Sequence, residues 1–404
     1  MPENNITAKL LDMEGFSIQN VKTFPDRILL EIEMERRAYE CPVCQTVTSQ
    51  IHDYRMQKVS DSPIQGKHVI WLYRKRRYRC PCCKKRFYEK NYLLPKWHRI
   101  TNRLALLAIN MLSERRSRKD ISVSCGVSES TVERWLKLTG VPETTSLPRV
   151  VSIDEFKGNT NGEKFQGIVT DPVHRKVINI LPSCKEAVFS QYFSEFSNRN
   201  QVQYFVCDMK REYVSMAKLR FPQATIVIDK FHVMRYCTWA LENVRKRIQK
   251  KLLPEQRKYF KRSRLLLLKH MSDLKDESKL AVERMLLFDR DLREAYLLKE
   301  TFYRFMASEN KTEAVQRLRE FRAYAMIADI PEFESCLTML QNWSPYILNA
   351  FDCPYTNGFT EGCNNAIKVL KRIAFGYRNF YNFRARILLT LNARKPSASP
   401  RMAS

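Results

Sequence analysis

The sequence predicts a multidomain α/β protein: a small strand-rich N-terminal module, a helix pair, and a mixed α/β layer domain that runs into a long all-helical region. Three observations carry this expectation. Two Cys-x-x-Cys turns lie among short alternating segments; three strands are followed by helix, strand, helix and strand; and residues 233 to 350 read as helix almost throughout. The chain has 404 residues, of which 44% are hydrophobic, so packed cores are affordable and disorder is not expected.

Charge narrows the partner. With 70 Lys+Arg against 43 Asp+Glu the formal net charge is +27, which favours a polyanion, most simply nucleic acid, through phosphate contacts and counterion release. The longest apolar candidate, "LALLAINML" at 104 to 112, is short of the roughly 18 residues a membrane span requires, and the polar N-terminus lacks a signal-peptide core. A cytoplasmic protein, nucleoid-associated when bound to DNA, is expected, with its 12 cysteines reduced or metal-bound.

Taken in order, "ILLEIEME" and "HVIWLYRKRRYR" alternate as strands within residues 1 to 95. From Trp97 to Leu138 the periodicity turns helical, and "VPETTSLP" reads as a linker. "VVSIDEFKGN" is a strand that ends in Asp154 and Glu155 and enters a basic, Gly-bearing turn. "KFQGIVTD", "KVINILP", "VQYFVCD" and "ATIVID" are further strands, with "KEAVFSQYFSEFS" and "REYVSMAKLRF" as helices between them.

Four constellations carry chemistry. Cys41, Cys44, Cys80 and Cys83 offer four thiolates for one tetrahedral structural zinc, although the intervening stretch exceeds the usual ribbon spacing and Cys82 competes for a place. Around the second turn, Arg74, Lys75, Arg76, Arg77, Lys84 and Lys85 interleave with Tyr78, Phe87 and Tyr88 as a phosphate-contacting surface would. In "RKDISVSCGVSESTVERWLKLTG", Gly126 supplies a turn, Ser128 caps the second helix, and Val132 and Trp135 face inward. This helix-turn-helix would turn Ser128, Glu129, Ser130, Thr131 and Arg134 toward a major groove.

The third constellation is acidic. Asp154 and Asp208 each close a strand, and Glu361 in "TNGFTEGCNNAIKVLKR" opens a final helix. Brought together, they would repel one another unless divalent cations sat between them; hard oxygen ligands suit Mg²⁺ or Mn²⁺, two of which about 3.5–4 Å apart can act on a phosphodiester. Glu155 points to the opposite side of its strand from Asp154, or is a further ligand if the strand ends early. The fourth is Asp229 with His232 at a strand-to-helix junction: either both face the same cleft, or Asp229 caps the helix and His232 is a satisfied buried side chain.

These motifs, together with "SIDEF", "CDMKREY" and "VIDKFHV" in this order, resemble the bacterial insertion-sequence transposases of the ISL-three group along nearly the whole chain. The resemblance implies a DDE transposase with an RNase H-like α/β core, a five-stranded mixed sheet with flanking helices, interrupted by an all-helical insertion before the last catalytic residue. It assigns Asp154, Asp208 and Glu361 to the DDE positions, with Asp229 the alternative second carboxylate, and Asp229 and His232 to a D-x-x-H motif. The implied domains are a zinc module (1–95), a helix-turn-helix and linker (96–147), the first part of the core (148–235), the insertion (236–350), the last part of the core (351–396) and a disordered tail (397–404). The implied partners are double-stranded DNA, both terminal inverted repeats and target, and at least a second copy of the chain, with no membrane. Trp239 and Trp343 are candidates for stacking on an extruded base, against the commoner role of helix aromatics as core. Two rivals remain: a catalytically silent DNA-binding regulator derived from a transposase, and a structure-selective nuclease sharing the core.

Overall fold

In the computed structural model the described residues are 11–95, 98–140, 144–353 and 355–393, so Trp97, part of the expected linker and the expected disordered tail lie outside them. The chain divides into two compact units: residues 1–142 with 369–404, and residues 143–368. This differs from the sequence-based boundaries. The zinc and helix-turn-helix segments share one unit, and the end of the chain, expected in the catalytic core, groups with them.

The first unit holds strands β1 (Phe16–Thr23), β2 (Arg27–Met34), β3 (Tyr39–Glu40), β4 (Val47–Thr48), β5 (Ile51–Ile64), β6 (Lys67–Arg79) and β7 (Arg86–Tyr88). Strands β1, β2, β6 and β5 form a sheet in that order, with β7 on β6 and β3 paired to β4 separately. The unusual length between the cysteine pairs is now explained, because β5 and β6 form a long hairpin between them, turning at Gln65 and Gly66, both with positive φ. Trp71 and Tyr73 from β6 anchor the core against Phe16, Leu30 and Ile32.

Helices α1 (Asn102–Ser113), α2 (Arg118–Cys125) and α3 (Glu129–Leu138) follow. Ser117 and Ser128 cap α2 and α3, each accepting from a backbone N–H three residues on, and Gly126 closes α2 in the left-handed region at φ 63°. Leu104, Leu112, Ile121, Val132 and Leu136 form a separate small core. The last helix, α12 (Phe380–Asn392), packs here as well: Ala385 and Leu389 join this core, Asn382 donates to Glu133 at 2.8 Å, and Arg386 is buried against the Arg116 carbonyl. Its apolar face therefore has a partner in the helix-turn-helix.

The second unit is built on a five-stranded sheet of β8 (Val150–Thr160), β9 (Glu163–Asp171), β10 (Lys176–Leu181), β11 (Tyr204–Cys207) and β12 (Thr225–Ile228). Its strand order is β10-β9-β8-β11-β12, antiparallel across the meander and parallel across β8, β11 and β12. This is the mixed five-stranded order of an RNase H-like sheet. Helices α4 (Glu186–Ser194) and α5 (Arg211–Arg220) supply Phe189, Phe193, Tyr213 and Met216 to its core. Helices α6 (Lys230–Lys251), α7 (Asp276–Leu287), α8 (Arg290–Met306), α9 (Lys311–Ala328) and α10 (Glu334–Leu348) make the helical insertion, and α11 (Gly358–Ile373) carries Glu361. α6 runs through the boundary expected at 235.

Two expectations need correction. Strand β8 does not end at Asp154 but continues to Thr160, because β9 pairs with it as far as Thr160↔Glu163, and the expected basic turn is its outer half. Glu361 lies in the first turn of α11, which is not the final helix.

Gly167 of β9 is where helix α4 approaches the sheet most closely: a Cβ there would lie 2.4 Å from Cζ of the buried Phe189. Gly167→Ala is expected to destabilise this unit by about 1–3 kcal/mol through overpacking. The fall in the urea midpoint should be partly reversed by adding Phe189→Leu; an unchanged midpoint would show that the helix moves away freely.

Candidate functional site

The second unit brings together carboxylates from three separate stretches of chain. β11 pairs with β8 only over Val150, Val151 and Ser152, so just beyond that pairing β8 has lost a neighbour and Asp154 sits in the notch. Asp208 directly follows β11, and Asp229 directly follows β12. These are the carboxyl ends of adjacent parallel strands, where backbone amides have no further partner strand and side chains can face a common site.

Helix α11 closes the notch through a buried polar seam. Ser152 Oγ donates to Asn357 Oδ1 at 2.5 Å, the Thr170 and Thr360 hydroxyls meet at 2.7 Å, and Thr360 Oγ1 donates to Ser152 Oγ at 3.2 Å. One turn further, Asn364 Nδ2 donates to Asp154 Oδ2 at 2.7 Å and to the Glu155 carbonyl at 3.3 Å. Asn357, Thr360, Glu361 and Asn364 follow at i, i+3, i+4 and i+7, one helical face. Thr360 and Asn364 therefore fix the register that aims Glu361. These positioning residues were missed in the sequence, although their polar 3.6-residue period was visible within the quoted motif.

Asp154 is buried, and its Oδ1 accepts from the Glu155 amide at 2.7 Å. Burial, then the charge of Asp208, pushes its carboxyl up to about 7. Burial, then Asp229, also raises Glu361, which feels His232 and Asp208 as well. His232 Nδ1 lies 2.9 Å from Asp208 Oδ1 and 3.3 Å from Asp229 Oδ2. Burial opposes its protonation, but the contacts with Asp208 and Asp229 outweigh that and raise the imidazole to about 10.

Asp229 makes no helix-capping bond to α6, so of the two readings of Asp229 and His232 the geometry favours the shared cleft. Ligand atoms of Asp208, Asp229 and His232 lie within 4.8 Å of one another, and Asp208 Oδ1 is buried without an aligned hydrogen-bond donor. Such a donor set, two carboxylates and an imidazole nitrogen brought within reach of one point, fits a hard divalent cation. Both Asp208 and Asp229 face the cluster, so the geometry does not separate them as second carboxylate. Glu155 turns away, paired with Lys210 and close to Cys184.

In the first unit Cys41, Cys44, Cys80 and Cys83 form one cluster, with Sγ atoms 3.4 Å apart for the pairs 41–83, 44–80 and 44–83. Sulfurs at ~2.3 Å from a tetrahedral zinc lie roughly 3.8 Å from each other, so little rearrangement is needed. The turns match: Cys41 and Cys80 donate N–H to Thr46 and Lys85 carbonyls, and Gln45 and Lys84 both take positive φ. Cys82 is exposed and outside the cluster.

The expected phosphate-contacting set is divided by the fold. Arg76 is buried and paired with Glu33 and Glu89, so it holds the module together instead of facing solvent. Arg77 is held by both Asp53 oxygens, and Lys75 lies over the Tyr88 ring. Arg74, Lys84 and Lys85 are exposed. On α3, Ser130 and Arg134 are exposed and Thr131 half-buried, while the Ser128 hydroxyl is engaged with Ser130, Thr131 and the Thr131 amide. Trp239 stands half exposed on α6, whereas Trp343 packs against the helical core beside Tyr346 and borders a cavity of about 600 Å³.

A family model described as transposase, of the ISL3 type, matches residues 151–387, and one described as zinc-finger of transposase IS204/IS1001/IS1096/IS1165 matches residues 37–83. The transposase for insertion sequence element IS1001 of Bordetella parapertussis is 24% identical over 98% of this chain and 100% of its own. The transposase for insertion sequence element IS1557 of Mycobacterium tuberculosis is 25% identical over 62% of this chain and 61% of its own. A Lactococcus lactis chain named ATP-dependent protease is 48% identical, but over only 15% of this chain and 20% of its own.

Zinc content tests the four-cysteine cluster. The purified chain is expected to hold one zinc per molecule, to lose it with Cys44→Ser or Cys80→Ser, and to keep it with Cys82→Ser. Retention of full zinc by Cys44→Ser would break the assignment.

Proposed function

The chain belongs to the ISL3 transposase family, and on that premise we propose that it binds the terminal inverted repeats of an insertion sequence and cuts and joins DNA in a divalent-metal-dependent reaction. The observation that carries this reading is the clustering of Asp208, Asp229 and His232, whose charges are felt by Asp154 on one side and Glu361 on the other, all drawn from distant positions. A silent DNA-binding regulator would have no need of an acidic pocket that a polyanion alone would avoid. The zinc module and the helix-turn-helix make the sequence-specific contacts in this reading, which a nuclease reading only shape would not require.

Asp154, Asp208 and Glu361 would hold two Mg²⁺ or Mn²⁺ ions, with Asp229 alongside; when bound, these supply Lewis-acid stabilisation of the charge that develops on the phosphodiester. The chain's own side chains do the rest. Asn364 and the Glu155 amide each hold one oxygen of the Asp154 carboxylate, which fixes its plane at the notch. Asp208 and Asp229 keep His232 oriented at the edge of the cluster, where the ring's other nitrogen would meet a scissile phosphate. In the first step water adds to phosphorus as the bond to the 3′ oxygen breaks, leaving a 3′-hydroxyl and a 5′-phosphate. That hydroxyl then attacks a target phosphodiester in line and expels the target's own 3′-hydroxyl. Two element ends require at least a dimer on DNA in this scheme.

Cleavage of end-containing DNA in Mg²⁺ is expected to fall on the order of 10³-fold in Asp154→Ala, Asp208→Ala and Glu361→Ala, the several kcal/mol a metal site provides, with gel-shift affinity kept. Asn364→Ala should lose roughly 10–100-fold, as a residue orienting a ligand does. Equal cleavage by wild type and all three carboxylate variants would overturn the metal site.

A further inference from the structure

The outer face of α6 has a composition that neither the core nor the acidic cluster explains. One stripe of this helix, from His232, holds the exposed Arg235, Trp239, Asn243, Lys246 and Lys250 at helical spacing, with Tyr236 half-buried against the core beside them. Beside His232, Phe231 is 54% exposed, and Trp239 is 51% exposed. Arg235 lies between them in the i, i+4, i+8 series, its guanidinium 4.5 Å from the Trp239 ring centroid, and the Tyr236 ring is 6.0 Å from that of Trp239. Phe231 stands edge-on to His232 at 5.6 Å.

Large aromatics left half in water beside free cations leave apolar surface unburied that a partner would cover. The charge on this face says which partner. α6 contains a single acidic residue, Glu242, which is buried and held by Arg245 and Lys246, and Glu332 and Glu334 share a cavity with Tyr236 and Asn243, so the relevant cationic stretch is the one at Arg235, between Phe231 and Trp239. Alternating aromatic and basic side chains in line with a reacting centre suit an unpaired nucleic-acid strand: bases stack on the rings and phosphates meet the cations. The scale agrees. Seven residues of helix separate His232 from Trp239, about 10 Å of rise, which is close to three stacked nucleotides at ~3.4 Å each.

We propose that the face of α6 running from Phe231 through Arg235 to Trp239 is a stacking platform for two or three unpaired nucleotides flanking the scissile phosphate. This rests on the DNA-cutting reading above and names the form in which the strand reaches the site: opened, with bases against Phe231 and Trp239 and a phosphate on Arg235.

The test uses the full-length protein and fluorescence anisotropy with two probes, a short single-stranded oligonucleotide and a fully paired duplex without element ends. Trp239→Ala and Arg235→Ala are expected to weaken single-strand binding about 5- to 100-fold, the worth of one base stack, while duplex binding changes less than threefold and Trp239→Phe stays within threefold of wild type on both probes. The same variants should cleave paired end-containing DNA more slowly and recover when the flanking two or three pairs are replaced by mismatches. Equal loss on both probes, or no loss on the single strand, overturns the platform. Should wild type fail to cut any DNA yet keep the Trp239-dependent single-strand preference, the cleavage reading falls and the platform stands.

Discussion

The buried hydrogen bonds that join α11 to the sheet are the constraint from which the site follows. A helix held to a sheet by apolar contacts alone can slide or rotate with modest loss, because such contacts are non-directional. Ser152, Thr170, Asn357 and Thr360 are all fully buried, and each hydroxyl or amide left unmatched there would lose on the order of 1–3 kcal/mol. A rotation of α11 would break several of these bonds at once. The same bonds, which engage the seam's hydroxyls and Asn357 Oδ1 while leaving Asn357 Nδ2 without a partner, therefore fix where Asn364 and Glu361 point, one onto Asp154 and the other toward the cluster.

Sheet topology supplies the other half. A strand end in the middle of a sheet exposes its neighbour, and here the short β11 stops level with Ser152 while β8 continues beside β9. Asp154 is thereby buried yet open along one side, which is why its carboxyl resists ionisation and why Asp208, on the loop that leaves β11, comes near enough to push it further. β12 repeats the arrangement with Asp229 and hands the chain directly to α6, so that His232 lands one turn into the helix, between two carboxylates.

Much of this was legible in the residues. The order of strands and helices, the serine caps and Gly126 of the helix-turn-helix, the paired cysteine turns and the three acidic positions all announce themselves through local patterns whose causes are local. What was not legible depends on distant partners. Asp154 reads as a strand end because Gly158 and Asn159 look like a turn; yet Gly158 only makes room for Gln166, whose side chain a Cβ would overlap at 1.2 Å, and the hairpin continues. Arg76 reads as one more surface cation in a basic run, but its carboxylate partners Glu33 and Glu89 come from other strands. α12 reads as the end of the catalytic core because it follows α11, although its buried Phe383, Arg386 and Ile387 have their places in the first unit.

The burial of Arg76 bears on how charge should be counted. A formal charge of +27 suggests a surface that would bind any polyanion anywhere, but cations already engaged by carboxylates add little to the outside field. Arg76 and Arg77 on β6, Arg103 on Asp61, and Arg247 between Asp291 and Glu332 are spent in this way. Lys84 and Lys85 beside the zinc turns, Arg134 on α3, and Arg235 and Lys250 on α6 are exposed. The elements that would read or hold DNA in the proposed function thus carry exposed charge, and the carboxylates of the second unit lie at the start of one of them. An acidic pocket placed at random would repel a phosphate backbone; at the start of a helix with exposed cations, it would receive, in the proposed reaction, a strand whose charge had been met along the way.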